Sequence, residues 1–268
     1  MGYRLGGFDE RMAVEKDKHA CAIFSENFGN VSLWDRDIAD LGKDKALELA
    51  NLDEGELDIL DGSPPCQGFS MLGKRQFDDD RNSLFLQYIR ILKIFKPKAL
   101  VMENVPGMVF GNMFKIYKSI IQELSLAGYR TRGEIMNASH FGVPQKRRRV
   151  IIIGSRSDMP DPSHPKPRGP IAGCKRLDER PATYMHKYFN DEIQREGWPI
   201  STITQHCRKF WSDKAEFGPL SYSYASSFPS DFKWLGSHSA IKARIGNSVP
   251  PLLMKAIAEH IRESILTS

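Results

Sequence analysis

Short apolar runs at Met12-Ala13-Val14, Leu57-Asp58-Ile59-Leu60-Asp61, Ala99-Leu100-Val101-Met102 and Val150-Ile151-Ile152-Ile153-Gly154 are separated by stretches of helical periodicity. Runs this short suit buried strands, and strands alternating with helices predict an α/β sheet. Helices are expected over residues 85–96 and 113–127. In the second, Phe114, Tyr117, Ile120, Ile121 and Leu124 form the predicted apolar face, which ends at Gly128. From Ser155 the composition changes to the proline-rich stretch 159–167, a stiff extended linker. The expected organisation is a catalytic α/β domain over 1–154, a polar, aromatic, irregular lobe with its linker over 155–240, and a return over 241–268. The final helix, 251–266, carries Leu252, Leu253, Ala256, Ile257, His260 and Ile261 on the face turned to the sheet. Trp198, Phe210 and Trp211 in the lobe read as a small core in preference to surface wedges.

In open α/β sheets ligands and reacting groups collect where strands end. The run ending at Asp61 leads into Gly62-Ser63-Pro64-Pro65-Cys66-Gln67-Gly68-Phe69-Ser70. Two prolines fix the backbone and the flanking glycines permit a sharp turn, so a single thiol is held in one place. An isolated cysteine is ordinarily a small buried hydrophobe; this setting makes Cys66 the candidate nucleophile. The next strand ends in Glu103-Asn104-Val105-Pro106-Gly107, placing an acid at the neighbouring corner, poised to give a proton. Farther on, Gln145-Lys146-Arg147-Arg148-Arg149 enters a strand. Alternation turns Arg147 and Arg149 to one side and Lys146 and Arg148 to the other.

These motifs, with Gly246-Asn247-Ser248-Val249-Pro250-Pro251 after them, stand in the order and spacing of the C5-cytosine DNA methyltransferases. Over nearly its whole length the chain resembles that family, in particular bacterial or phage modification enzymes. The resemblance implies a doubly wound, mostly parallel, Rossmann-like sheet with a target-recognition lobe. It further implies transfer of a methyl group from S-adenosylmethionine to C5 of a flipped cytosine in double-stranded DNA. Cys66 would add to C6, Glu103 would bond N3, and Arg147 and Arg149 would supply charge. Gln67, Ser70, Asn104, Val105 and Gln145 would line the base site. For the donor it implies Glu15 on the ribose, with Lys16 beside it, and Asp37 and Ile38 at the adenine. Pro65 and Leu84 would be walls, with Asn247 and Val249 as the closing side; core packing is the competing reading for Leu84 and Val249.

Two departures qualify this. The family opens with an apolar strand and a Phe-x-Gly-x-Gly loop, whereas only fourteen residues precede Glu15 here, and Gly6-Gly7 reads as a helix-ending turn. Loss of that central strand would leave two inner strand edges without partners and remove one face of the donor pocket. A reading frame that continues upstream through that strand and loop, a second polypeptide supplying them, or a fragment that binds DNA without activity are the alternatives. The serine-rich stretch 220–227 also lacks the arginine that the family carries before Phe228-Pro229-Ser230-Asp231-Phe232. RNA as substrate is a lesser alternative, and so is a cysteine hydrolase pairing Cys66 with His140.

Composition sets wide bounds. A net charge of +5 with pI near 8.9 is compatible with a polyanionic partner. Cys21, Cys66, Cys174 and Cys207 have no metal-ligand spacing, which predicts reduced thiols, no metal and a cytoplasmic setting.

Overall fold

The computed structural model describes residues 1–65, 80–167, 200–204 and 219–267. A short helix α1 (Gly2–Leu5) precedes β1 (Met12–Val14), and α2 (Lys18–Asn27) links β1 to β2 (Ser32–Trp34), which pairs with it in parallel. Helix α3 (Lys43–Ala50) ends at Asn51 in the left-handed region, and the chain returns to β3 (Ile59–Gly62). Helix α4 (Asp80–Phe95) then crosses to β4 (Ala99–Asn104), parallel to β3. Helix α5 (Met113–Leu126), β5 (Tyr129–Asn137), β6 (Gln145–Lys146) and β7 (Arg148–Arg156) follow. The strand order is β3-β4-β7-β5, with β7 antiparallel to both neighbours. The sheet is mixed: residues 138–147 connect β5 to β7 without the crossover helix that parallel neighbours usually need. Strand β8 (Ile200–Ser201) pairs with β6, and helices α6 (Pro219–Ala225), α7 (His238–Asn247) and α8 (Pro251–Ile261) complete the chain, the last running into a π turn over Arg262–Leu266.

All six residues of β4 are buried, so it reads as a continuous apolar run and not as an alternation. Leu100 and Met102 pack with Tyr88, Leu92, Ile116, Ile120 and Leu124 from α4 and α5. Ala99 and Val101 face Leu253, Ile257 and Ile261 of α8. The sheet is thus covered on both sides. The inner stripe of α5 is Ile116, Ile120 and Leu124, whereas Phe114 is exposed and Tyr117 and Ile121 lie beside the stripe. Phe114 instead stacks on Tyr117 with Lys118 over its ring, a surface arrangement that helical spacing alone does not distinguish from core.

Small residues permit two close approaches. A Cβ on Gly2 or Gly6 would fall 2.3 Å from Met254 Cβ or 2.9 Å from Ala258 Cβ, so α1 lies directly on α8. Gly62, expected to serve a turn, is the last residue of β3, and its lack of a side chain admits the Tyr88 ring, 2.7 Å from where a Cβ would be. The lobe is tied to α2: Asn27 bonds the backbone of Lys233 on both sides of its amide, and Arg244 pairs with Asp17. Within the stretch 220–227, residues through Ala225 belong to helix α6 in spite of the serines, and Ser221 and Ser223 are buried. The lobe aromatics Trp198, Phe210 and Trp211 lie outside the described residues. No described helix is long and apolar enough to cross a membrane.

Gly154 of β7 lies opposite Leu100, and a Cβ there would come 2.8 Å from Leu100 Cγ in a fully buried layer. Gly154→Ala is expected to destabilise the fold by about 1–3 kcal/mol through overpacking. The check is a fall in urea midpoint with unchanged slope.

Candidate active site at the ends of β3 and β4

Parallel pairing sets Gly62 opposite Met102, so the chain leaving β3 and the chain leaving β4 emerge side by side. Asn104 Nδ2 donates to the Pro64 carbonyl at 3.0 Å, while its Oδ1 accepts from Val105 N at 2.9 Å. One side chain therefore holds both corners. Pro64 is buried and Pro65 exposed; Cys66, Gln67 and Ser70 lie outside the described residues. Glu103 is 8% exposed and its Oε1 lies 2.6 Å from Arg149 Nε. Val105, expected at the base site, is exposed beside this corner.

Arg147 and Arg149 do turn inward together, yet they have different jobs. Arg149 meets the carboxylate. Arg147 is 2% exposed and donates to the carbonyls of Ile203 at 3.0 Å and Gly246 at 2.9 Å. Burial, with Arg149 nearby, lowers its pKa to about 10, so it remains a cation at neutral pH. The expectation that Arg147 lends charge to the base is corrected by this geometry: its two terminal nitrogens clamp the segment after β8 to the end of α7. Gln145 behaves likewise. It is fully buried, donates to Ala225 O and Ser226 Oγ, and accepts from Ile203 N. Its amide is engaged with protein on both sides.

Next to this corner is a cavity of about 1140 Å³ lined by Glu15, Lys16, Asp37, Ile38, Pro65 and Leu84, among others. Glu15 Oε1 accepts from the amides of Lys16 and Asp17, an arrangement that fixes the carboxylate just beyond β1. Asp37 accepts from Ala39 N and from Lys16 Nζ, and these bonds hold its carboxyl below the usual range. Two acids at strand ends with apolar walls fit a nucleoside bearing ribose hydroxyls. Asn247 and Val249 are not part of this lining: Asn247 is exposed and Val249 packs against the core beneath α8. His140 is half-buried at the turn following β5, and Cys21 is half-buried with its thiol on the Glu15 carbonyl. Among the described residues no cluster of His, Cys, Asp and Glu is arranged to hold a metal ion.

Sequence reasoning passed over Asp61 and Tyr3. Asp61 opens into the cavity although protein surrounds it, and this burial raises its pKa to about 6. The buried Tyr3 hydroxyl beside it interacts with the carboxylate and partly opposes that rise. The available signal was an acid interrupting Ile59-Leu60.

The fold and these strand-end groups define a Rossmann-like α/β protein with a nucleoside-sized site beside an Asn-linked pair of corners. Residues 1–179 match the C-5 cytosine-specific DNA methylase family, and the chain belongs to that family. It is 30% identical to the type II methyltransferase M1.HphI of Haemophilus parahaemolyticus over 97% of this chain and 82% of the relative. To M.XorII of Xanthomonas oryzae it is 32% identical over 81% of the chain, which spans about half (52%) of that protein. Its fold matches a mutant of Spodoptera frugiperda DNMT2 with a TM-score of 0.70 at 20% identity, covering 97% and 96% of the two chains.

Two outcomes are expected. Arg147→Met should cost about 1.5–3 kcal/mol, since it leaves two buried carbonyls without a charged donor; a urea melt reads this. The folded-state pKa of Asp61 lies above its unfolded value, so its protonated form is favoured in the fold and stability from this group is lost as pH rises from about 4 to about 6. Asp61→Asn should therefore melt higher than the parent above pH 6, with the gain fading below pH 4.

Proposed function

We propose that this chain methylates C5 of cytosine in double-stranded DNA, with Cys66 as nucleophile and S-adenosylmethionine as methyl source. The observation that carries the reading is the bond from Asn104 Nδ2 to the Pro64 carbonyl. It joins the corner bearing Glu103 to the turn that leads, two residues later, to Cys66.

Carbon 5 is a weak nucleophile until the ring is activated. The Cys66 thiolate forms a bond to C6, and electron density moves toward N3, which the Glu103 carboxyl hydrogen-bonds. Arg149, 2.6 Å from Glu103, supplies the counter-charge and fixes the carboxyl in place. C5 then has enamine character and attacks an electrophilic methyl. S-adenosylmethionine, when bound, supplies that methyl on a cationic sulfur. Transfer of the C5 proton to a water molecule and expulsion of the Cys66 thiolate then restore the aromatic ring, so one hard step becomes several easier ones. Glu15 and Asp37 accept from the nucleoside part of the donor, while Ile38, Pro65 and Leu84 exclude water around it. C6 is unreachable within a base stack, which requires extrusion of the target base. Gln145 and Arg147 act at a distance from the base by setting the lobe against the catalytic sheet. DNA is favoured over RNA by the family to which the chain belongs and by its type II relatives.

Cys66→Ser should abolish covalent trapping of DNA containing 5-fluorocytosine; an adduct formed by this variant would refute the assigned nucleophile. Glu103→Gln should lower the methyl-transfer rate by about 10²-fold or more, the scale of a lost acid-base group. DNA affinity should hold within a few-fold, and equal loss of both would make Glu103 a structural group.

A further inference from the structure

The chain leaving the Glu103 corner turns apolar side chains outward. Val105 is 53% exposed, Phe110 59% and Phe114 41%, all within ten residues. Single exposed apolar residues are ordinary, whereas three in a row along the rim of a candidate active site call for a partner. The segment is fastened from beneath. Met108 is fully buried in the core shared with α4 and α5, and Val109 packs against that core. Asn104 Oδ1 accepts from Val105 N, Phe110 N donates to Gly107 O, and Phe114 N donates to Gly111 O. A Cβ on Gly107 or Gly111 would meet nothing within 4 Å, so the space beside Phe110 is open.

Cations flank these rings. Lys118 Nζ lies 5.0 Å from the centre of the Phe114 ring, which stacks on Tyr117, and Lys115 is exposed on the same helix. The pairing of Asn104 with Val150 brings Val105 across from the Arg149 end of β7, next to Arg148, which is exposed. No acid occurs in the sequence between Glu103 and Glu123. Aromatic faces interleaved with cations suit unstacked bases and their phosphates. The patch also continues without a break from the corner proposed to hold the extruded base, so the strand carrying that base passes over it.

Resting on the function proposed above, we infer that Phe110 is a stacking platform for the nucleotides flanking the extruded cytosine, with Phe114 beside it and Lys115, Lys118 and Arg148 following the phosphates. Extrusion breaks the stacking of the target base on both its neighbours. A ring anchored six residues beyond Asn104 replaces part of that stacking and holds the opened strand against the site. Phe110 thus binds the opened strand and takes no part in the reaction at C5 and C6.

The test is photo-cross-linking of the full chain to a short DNA duplex of randomised outer sequence. Its central cytosine lies opposite an abasic site, with 5-iodouracil on either side. An unpaired cytosine costs little to extrude, so no particular recognition sequence is needed. Irradiation couples iodouracil to aromatic side chains touching it, and mass spectrometry identifies the residue. The expected result is a cross-link at Phe110 that weakens when the central cytosine is paired with guanine. Phe110→Ala should keep the parent's urea midpoint, since the ring is exposed, yet lower affinity for the unpaired duplex about tenfold with an unchanged salt slope. Phe110→Trp should retain the affinity, and Lys118→Gln should reduce the salt slope by about 1. Cross-links confined to other segments, or unchanged affinity in Phe110→Ala, overturn the proposal. A stronger cross-link to the corresponding RNA overturns it in favour of RNA, and loss of the cross-link as the chain dimerises in sedimentation overturns it in favour of a second copy. A Phe110 cross-link in a chain that never forms the 5-fluorocytosine adduct sinks the enzymatic reading and leaves the platform standing, while an adduct without that cross-link does the reverse.

Discussion

The parallel pairing of β3 with β4 is the constraint on which the rest of the site depends. It brings two strand ends out at the same height, and the Asn104 side chain then bonds across the gap to Pro64. Neither corner alone does chemistry. A thiol needs an acid within reach of the same ring, and an acid needs a fixed angle to it. The pairing is enforced by burial, since all of β4 is enclosed and each of its faces packs on helices. Moving β4 by one residue would turn its core side chains to the wrong layers, so the register that satisfies the core also sets the corners.

Charge in this region is arranged in two tiers. Arg149 meets Glu103, the carboxyl proposed for the chemistry. Arg147, two residues earlier and on the same side of the extended chain, is held by backbone carbonyls. A buried guanidinium is costly unless its donors are used, and here the cost is offset by a tie between segments distant in sequence. Gln145 extends the tie to Ala225 and Ser226. One short basic run therefore sets the lobe with its first half and the reacting carboxylate with its last residue.

Much of this was legible in the sequence because short apolar strands ending in Pro-Pro-Cys and Glu-Asn-Val leave little freedom in how they pair. The inward turn of Arg147 and Arg149 was likewise readable from alternation. Their division of labour was not, since Ile203 and Gly246, which occupy Arg147, lie 56 and 99 residues away. The place of Gly62 was misread for a similar reason: its partner is the Tyr88 ring, a contact between a strand and the following helix that no local turn rule describes. Phe114 fitted the helical stripe by spacing, yet the axis of α5 is set by Ile116, Ile120 and Leu124, and only packing reveals that rotation.

The donor side follows another logic. Glu15 and Asp37 were readable as acids at strand ends, and both line the cavity. Asn247 and Val249 were carried in by motif order, but α8 leaves the proline pair in a direction that points Val249 into the core. Asp61 explains why the opposite wall matters. A carboxylate set in an apolar strand is tolerated only where something polar or solvent meets it. Here burial favours the protonated form while the Tyr3 hydroxyl beside it favours the ionised one, so the charge on this wall of the cavity is set by the balance of the two.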